Sequence, residues 1–214
     1  MKRSQLHLAV VLIGLFAISM TAQDNAIPVA DQSNPVPAAT TQNYNVFNMV
    51  RSSGAVTAGC LPYASGRVTI SPLGPVENMH VEVTGLPKNT EFDLFVIQLP
   101  NAPFGLSWYQ GDIQTDGTGR GVGDFVGRFS IETFIVAPGS GPAPVIHPVD
   151  ASSNPATAPV HTLHLGLWFG STAAAAAAGC PATQTPFNGD HTAGIQALST
   201  RNFANNNGPL RRLQ

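Results

Sequence analysis

Residues 85–137 constrain the fold most strongly, because they leave almost no room for a helix. Short runs of β-branched, aromatic and aliphatic residues alternate there with turns that contain Gly, Pro or Asp. The whole chain carries 21 glycines and 18 prolines in 214 residues, as expected where many short strands are joined by turns and long loops. We therefore predict an all-β fold in a single domain, with long Pro- and Gly-rich loops.

The clearest strand signal lies in residues 79–84. Met79, Val81 and Val83 alternate with polar residues, which is typical of a strand with one face in the core and one in water. Residues 95–99 are apolar on both faces and predict a central strand. The alanine run 173–178 is compatible with one or two helical turns or with an irregular loop, and Gly179 and Cys180 after it favour a short capped helix. Further strands are predicted at 67–71, 92–99, 122–129, 131–136, 160–169 and 193–199.

The N-terminus predicts export. Lys2 and Arg3 precede an apolar run over residues 8–20, which is the pattern of a signal peptide ending near residue 22. An uncleaved anchor is the alternative, but the run is shorter than the ~20 residues that span a bilayer. We predict a signal peptide at 1–22, a flexible leader at 23–43, the β-domain at 44–208 and a C-terminal tail at 209–214. The mature protein is then extracellular or periplasmic, without stable membrane insertion.

The charge of the mature chain argues against nucleic acid as a partner. Loss of Lys2 and Arg3 with the signal leaves 8 basic against 12 acidic side chains, a net charge of −4, with Lys88 as the last lysine. Phosphate backbones are bound by clusters of basic residues. The pair Arg211 and Arg212 is too small to supply such a cluster.

The two cysteines, Cys60 and Cys180, predict one disulfide. An even count in an exported chain favours pairing, whereas two buried free thiols are the alternative. A structural metal site is not expected from two cysteines that lie 120 positions apart.

Two resemblances bear on the fold. The run GLPKNTEFDLFV at 85–96 resembles the corner of fibronectin type III and related immunoglobulin-like sandwiches. This resemblance implies a single immunoglobulin-like antiparallel β-sandwich with long Pro- and Gly-rich loops. Phe92 stands where that family usually has Tyr, so the hydroxyl hydrogen bond of a tyrosine corner is not available. Over a longer span, segments 101–116, 127–138 and 186–203 are similar to a group of uncharacterised exported bacterial proteins. That likeness implies export and brings no activity with it.

The histidines raise the question of a metal site. His161 and His164 are three apart on a strand and therefore face opposite sides. His80 and Glu82 share one face and could hold a copper or zinc ion with a third ligand, although a solvated strand face is the simpler interpretation.

The acidic residues offer two further chemistries. Asp112, Gln114 and Asp116 resemble the start of a calcium-binding loop, and Asp124 follows closely, but position twelve is Gly123 and the Asp-Gly pair favours a hairpin turn. Carboxylate pairs for glycoside hydrolysis could come from several residues whose spacing selects none of them. These residues are Glu91, Asp93, Asp112, Asp124 and Glu132. We expect Glu91 and Asp93 to solvate an outer strand face.

Three aromatic residues are the predicted ligand contacts: Phe104, Trp108 and Tyr109. If exposed, such side chains can stack on a sugar ring or a protein partner. The glycine-rich run 117–123 does not match a dinucleotide motif and precedes a strand, and no serine-nucleophile motif occurs. We predict an exported, non-enzymatic binding or structural module with a glycan or protein partner and no cofactor. The alternatives are a carboxylate-dependent hydrolase and a metal-binding protein that uses His80, His161, His164 or His191.

Overall fold

The computed structural model describes residues 45–130, 134–135 (backbone only), 160–185 and 193–212. Within these ranges the chain is mainly β-structure, as predicted. The strands are β1 Asn45–Arg51, β2 Ser65–Leu73, β3 Val76–Thr84, β4 Glu91–Ile97, β5 Ser107–Gln114, β6 Gly121–Gly127, β7 Phe134–Ile135, β8 Val160–His161, β9 His164–Phe169 and β10 Gln196–Ser199. Two short helices, α1 Ser53–Thr57 and α2 Thr172–Ala177, and a 3₁₀ turn, Pro209–Arg212, complete the described elements.

Eight of the strands form one antiparallel sheet in the order β5-β4-β9-β10-β1-β2-β3-β6, while β7 and β8 pair with each other. The sheet is nearly closed, because a single bridge between Thr115 and Gly121 connects its two edge strands. The chain runs β1-β2-β3 as a meander, then crosses to β4 and returns through β5 to β6 beside β3. The all-β prediction is therefore confirmed.

The interior is filled by alternate side chains from strands across the sheet. Met79, Val81 and Val83 are at most 1% exposed, as the alternation in 79–84 predicts. They belong to one apolar cluster with residues of β1, β2, β4 and β9. Strand β4 lies between β5 and β9, and its residues Phe92–Ile97 are all buried, which confirms a central strand.

The sheet is weakly joined along two seams. Strands β10 and β1 share only the residue pairs Val50–Ser199 and Arg51–Leu198, and β5 meets β6 through the one bridge. By contrast, β2 and β3 pair along nine residues, and the other neighbouring strands share between three and seven residue pairs. The sheet therefore divides naturally into one half of β5, β4, β9 and β10 and another of β1, β2, β3 and β6.

The glycines of β6 leave room for aromatic rings. A Cβ at Gly123 would lie 2.7 Å from the ring of Phe125, and one at Gly127 would lie 2.9 Å from the ring of Phe129. Glycines at alternate positions of a strand indicate close packing against another backbone or a bulge. Beside Gly123 and Gly127 the space is instead taken by the rings of Phe125 and Phe129.

Cys60 and Cys180 form the predicted disulfide, with an S–S distance of 2.12 Å. Cys180 follows α2, which confirms the helix expected from the alanine run. Cys60 follows α1, which the sequence did not predict.

The chain stays packed to the end of the described residues. Leu210 is fully buried, and Asn45 Nδ2 donates to the Pro209 carbonyl at 2.8 Å, so the 3₁₀ turn within the predicted tail lies against the first strand. The predicted signal peptide and leader, and most of the predicted strand 131–136, lie outside the described residues. Among the helices that the structure describes, none is both long and apolar enough to cross a membrane.

Candidate binding surface on strand β5

Strand β5 carries two large aromatic side chains that are exposed to solvent. Trp108 is 62% exposed and Tyr109 is 49% exposed. The strand lies at one edge of the sheet, and consecutive residues of a strand point to opposite sides. Tyr109 therefore lies on the same side of the sheet as its cross-strand neighbour Phe95. Trp108, near the start of the strand, lies on the opposite side, with its neighbour Val96.

Tyr109 is the exposed end of a row of stacked rings. Its ring centroid lies 5.5 Å from that of Phe95, which lies 5.5 Å from that of Trp168. Phe104, from the loop between β4 and β5, packs edge-on against Trp168 at 5.0 Å. Such offset and edge-to-face contacts hold aromatic rings in defined positions. The row therefore gives Tyr109 a rigid support.

Three carboxylates converge beside Tyr109. The side-chain oxygens of Glu91, Asp93 and Asp112 can all lie within 4.8 Å of one another. Register explains the meeting, because Asp93 on β4 is directly opposite Asp112 on β5, and Glu91 is two residues from Asp93 on the same face. Within the described residues this acidic cluster is the one group of carboxylate, thiol or imidazole side chains close enough to share a metal ion.

The surroundings of Tyr109 disfavour ionisation of its phenol. Tyr109 donates its hydroxyl hydrogen to Asp112 Oδ1 at 2.7 Å. Partial burial raises the pKa of Tyr109 well above its ordinary value, and the hydrogen bond to Asp112 and the charges of Asp112, Asp93 and Glu91 raise it further. The surface thus presents a neutral hydrogen-bonding ring next to negative charge.

One prediction about these carboxylates is wrong. Asp93 was expected to solvate an outer strand face together with Glu91, yet it is only 4% exposed. Trp168 lies directly opposite it on β9, and Gly170 approaches both acids, so that a Cβ there would be 3.4 Å from Asp93 Oδ1. Glu91 itself is exposed, as predicted. Glu132, another candidate, lies outside the described residues.

His80 has a different acidic partner from the one its spacing indicates. The sequence places Glu82 on the same face, but His80 Nδ1 lies 2.8 Å from Asp124 Oδ1 across the β3–β6 ladder. The hydrogen bond from His80, followed by one from Asn78 Nδ2, lowers the pKa of Asp124. The side chains of His80 and Asp124 are both exposed. Because the Asp124 carboxylate accepts hydrogen bonds from His80 and Asn78, it is not arranged as a ligand in a calcium-binding loop.

Asp116 organises the turn between β5 and β6. Its Oδ1 accepts hydrogen bonds from the Thr118 backbone N–H and hydroxyl, both at 2.7 Å, and from the Arg120 N–H at 3.1 Å. These bonds, led by the one from the Thr118 hydroxyl, lower the pKa of Asp116. The turn interpretation of this segment is thus supported over a calcium loop.

The remaining histidines do not form a site within the described residues. His164 is fully buried, with Nδ1 3.0 Å from Thr200 Oγ1 and Nε2 3.1 Å from the Asn205 carbonyl oxygen. Its two ring nitrogens tie β9 to the segment after β10. His161 lies on β8, in the separate two-stranded sheet. His191 is outside the described residues.

Sequence reasoning named the residues of this surface but did not assemble them. Phe104, Trp108 and Tyr109 were singled out together, and the structure places Phe104 and Tyr109 at the two ends of one row of rings. The convergence of Glu91, Asp93 and Asp112 was missed. The sequence does not reveal the register between β4 and β5, and it is this register that brings the three carboxylates together.

Comparison with known proteins leaves the family open. No model of a known protein family matches the chain, and no curated protein matches its sequence. The likeness to exported bacterial proteins stays a prediction. Function has to be argued from the surface itself.

Proposed function

We propose that the protein is an exported, non-enzymatic binding module that takes a glycan on strand β5. The observation that carries this proposal is Tyr109, which is 49% exposed at the end of a supported row of rings and lies beside the acidic cluster. Trp108, 62% exposed, points to the other side of the same edge strand. Isolated exposed apolar residues are common, but exposed Trp and Tyr on a rigid support are the usual anchors of binding surfaces.

The chemistry around Tyr109 favours a glycan over a protein. Aromatic ring faces pack against the apolar faces of sugar rings, while carboxylate oxygens accept hydrogen bonds from sugar hydroxyls. Glu91, Asp112 and the Tyr109 hydroxyl supply such polar groups beside the ring. The negative charge of the cluster favours a neutral or amine-bearing glycan over an acidic polymer.

Export is supported by the disulfide. Bonds such as Cys60–Cys180 persist in oxidising compartments and are rare in the cytosol. Together with the apolar run at residues 8–20, this pairing favours a mature protein that works outside the cytoplasm.

The finer fold that we propose is an immunoglobulin-like sandwich. The two weak seams of the sheet, at β10–β1 and at β5–β6, support a flattened arrangement in which its two halves face each other as layers. The apolar cluster contains residues of both halves, such as Val81 and Leu167, as a sandwich core requires. An experimental structure with a round, evenly hydrogen-bonded barrel would contradict this arrangement.

The alternatives, a hydrolase and a metal-binding protein, are favoured by the acidic cluster. The spacing of these side-chain oxygens, within 4.8 Å of one another, is closer to the roughly 5–5.5 Å of a retaining glycosidase than to the roughly 6.5–9.5 Å of an inverting one. Calcium takes about 6–8 oxygen ligands, of which this cluster supplies three residues. Neither chemistry uses the exposed, supported ring of Tyr109, so the binding function accounts for more of the surface.

A glycan array probed with the mature, oxidised protein tests the proposal. We expect selective glycan binding that Tyr109→Ala weakens at least about tenfold, as for anchor residues of interfaces. Trp108→Ala should weaken it much less, because Trp108 lies on the other side of the sheet from the acidic cluster. Tyr63→Ala is the matched control, because Tyr63 is 84% exposed but lies outside β5, and it should bind as the wild type does. Absence of any bound glycan, or equal losses in all three variants, would contradict the proposal.

The same preparation distinguishes the alternatives. A stoichiometric metal found by elemental analysis, and lost in Asp112→Asn, would favour the metal-binding protein. Release of reducing sugar from a bound glycan would favour the hydrolase. Binding without either result supports the non-enzymatic module.

A further inference from the structure

An open groove of about 400 Å³ lies over β1, β2 and β3, and Arg120, which precedes β6, is among the residues that line it. Asn48, Arg67 and Glu82 stand in one cross-strand row along it. The polar residues that line it are Asn48, Ser65, Arg67, Glu82, Thr84 and Arg120. Its volume lies within the range of about 300–1,000 Å³ that is usual for small-molecule sites.

The arginines of the described residues divide into two groups. Five are engaged with the protein itself. Arg51, Arg128, Arg201 and Arg211 donate to backbone carbonyls, and Arg212 stacks over the ring of Phe203. The other two described arginines, Arg67 and Arg120, make no side-chain hydrogen bond or ion pair with any described residue. Both of them line the groove.

Arg67 lies directly opposite Glu82 in the β2–β3 register. Among the described residues, however, no ion pair joins the side chains of Arg67 and Glu82. A guanidinium carries five N–H donors in a planar fork that matches the oxygens of a carboxylate or phosphate. The groove therefore offers two guanidinium groups, with Glu82 as a hydrogen-bond acceptor nearby.

We propose that this groove binds a small hydroxyl-bearing molecule with one oxyanion group, of the acidic-sugar class. Arg67 and Arg120 hold the oxyanion through charge-assisted hydrogen bonds, and Glu82 accepts from a hydroxyl of the same molecule. Because the mature chain is predicted to carry a net charge of −4, the attraction arises from these two side chains and not from the whole molecule. The groove uses none of the residues of the β5 surface.

Calorimetric titration of the full oxidised protein with three matched probes tests this site. Glucuronate and glucose 6-phosphate are expected to bind saturably, and glucose, which lacks the oxyanion, is expected not to bind. The first two probes separate a carboxylate source from a phosphate source of the same chemistry. Preference for either one supports the proposal, whereas equal binding of glucose overturns it.

Variants locate the binding. Arg67→Gln and Arg120→Gln are each expected to weaken binding of the preferred probe by about tenfold or more, the usual effect of losing a hydrogen bond to a charged group. Lys88→Gln removes one positive charge outside the groove and should change binding by less than about twofold, since exposed charges act weakly at a distance. Equal losses in all three variants would reduce the effect to net charge and overturn the proposal.

A gain-of-binding variant guards against loss of folding. Glu82→Gln removes a negative charge from the groove, so binding of inorganic phosphate, probed alone, is expected to become tighter. Unchanged phosphate binding in Glu82→Gln would place the anion elsewhere and contradict the site.

Discussion

Gly85 fixes the corner between β3 and β4 at the scale of a single residue. Its φ is +69°, and an added Cβ would lie 2.2 Å from the Tyr63 carbonyl oxygen. The next residue, Leu86, donates its N–H to the Gly119 carbonyl at 3.2 Å, which ties this corner to the β5–β6 turn. The corner thus requires glycine for both its conformation and its close backbone contact.

A matched pair of glycine substitutions separates these two requirements. Gly74 has a similar φ of +62°, but nothing lies within 4 Å of the position of its Cβ. We expect Gly74→Ala to cost about 1–2 kcal/mol of unfolding free energy through backbone strain alone. Gly85→Ala should cost more than about 3 kcal/mol, because the backbone must also move. Urea unfolding followed by fluorescence measures both, and equal costs would contradict the close contact.

At the scale of the secondary-structure element, the two helices begin and end in the same way. Ser52 Oγ accepts from the Ala55 N–H at 3.0 Å and Ser171 Oγ accepts from the Ala174 N–H at 3.1 Å, so each helix has a serine N-cap. Each ends in Ala-Gly-Cys, with positive φ at the glycine, as is common at helix C-termini.

The repeated design places the two cysteines so that they can bond. The N–H of Cys60 and that of Cys180 each donate to a helix carbonyl, of Ala55 and Ala175 respectively. The backbone around each sulfur is therefore held by its own helix end. The disulfide then joins two elements that lie 120 residues apart in sequence.

Removal of the disulfide should strongly destabilise the fold. In the chain-entropy model, a closed loop of more than a hundred residues contributes about 4–5 kcal/mol. We expect Cys60→Ala combined with Cys180→Ala to lower the free energy of unfolding by this amount, as measured by urea denaturation. Wild-type protein under reducing conditions is the control and should behave similarly. Unchanged stability in both samples would contradict a constraining role.

At the scale of the whole molecule, the larger of two apolar clusters contains residues from both halves of the sheet. Val81 on β3 is fully buried in it, whereas Val126 on the neighbouring strand β6 is 64% exposed. Val81→Ala should cost about 2 kcal/mol, because it removes two buried methyl groups and leaves a cavity. Val126→Ala removes the same atoms from the surface and should cost less than about 0.5 kcal/mol. Thermal unfolding compares the two variants. Similar unfolding midpoints would contradict the placement of Val81 in the core and of Val126 on the outer face of the sheet.

Local patterns were sufficient to predict the elements. The alternation at Met79, Val81 and Val83 states which side chains face the core, because side-chain direction in a strand depends only on neighbouring positions. The Asp-Gly turn and the alanine helix were predicted for the same reason. Helix α1 was missed because its five residues, SGAVT, carry no apolar period.

The candidate site was predictable only in part. Trp108 and Tyr109 were named from residue type, and the structure exposes both. The burial of Asp93 was not predictable, because Trp168, its cross-strand neighbour, lies 75 positions later in the chain. Arg67 and Arg120 were not considered, since nothing near them in sequence marks a groove.

The sequence by itself determined the all-β class, the period of the strands, the turn at Asp116 and the pairing of the only two cysteines. These follow from interactions between near neighbours or from simple counting. Tertiary structure alone decided which distant residues come together: Asp112 with Asp93, Asp124 with His80, and Arg67 and Arg120 along one groove. The physical reason is register, because a sheet brings together residues whose separation along the chain leaves no local trace.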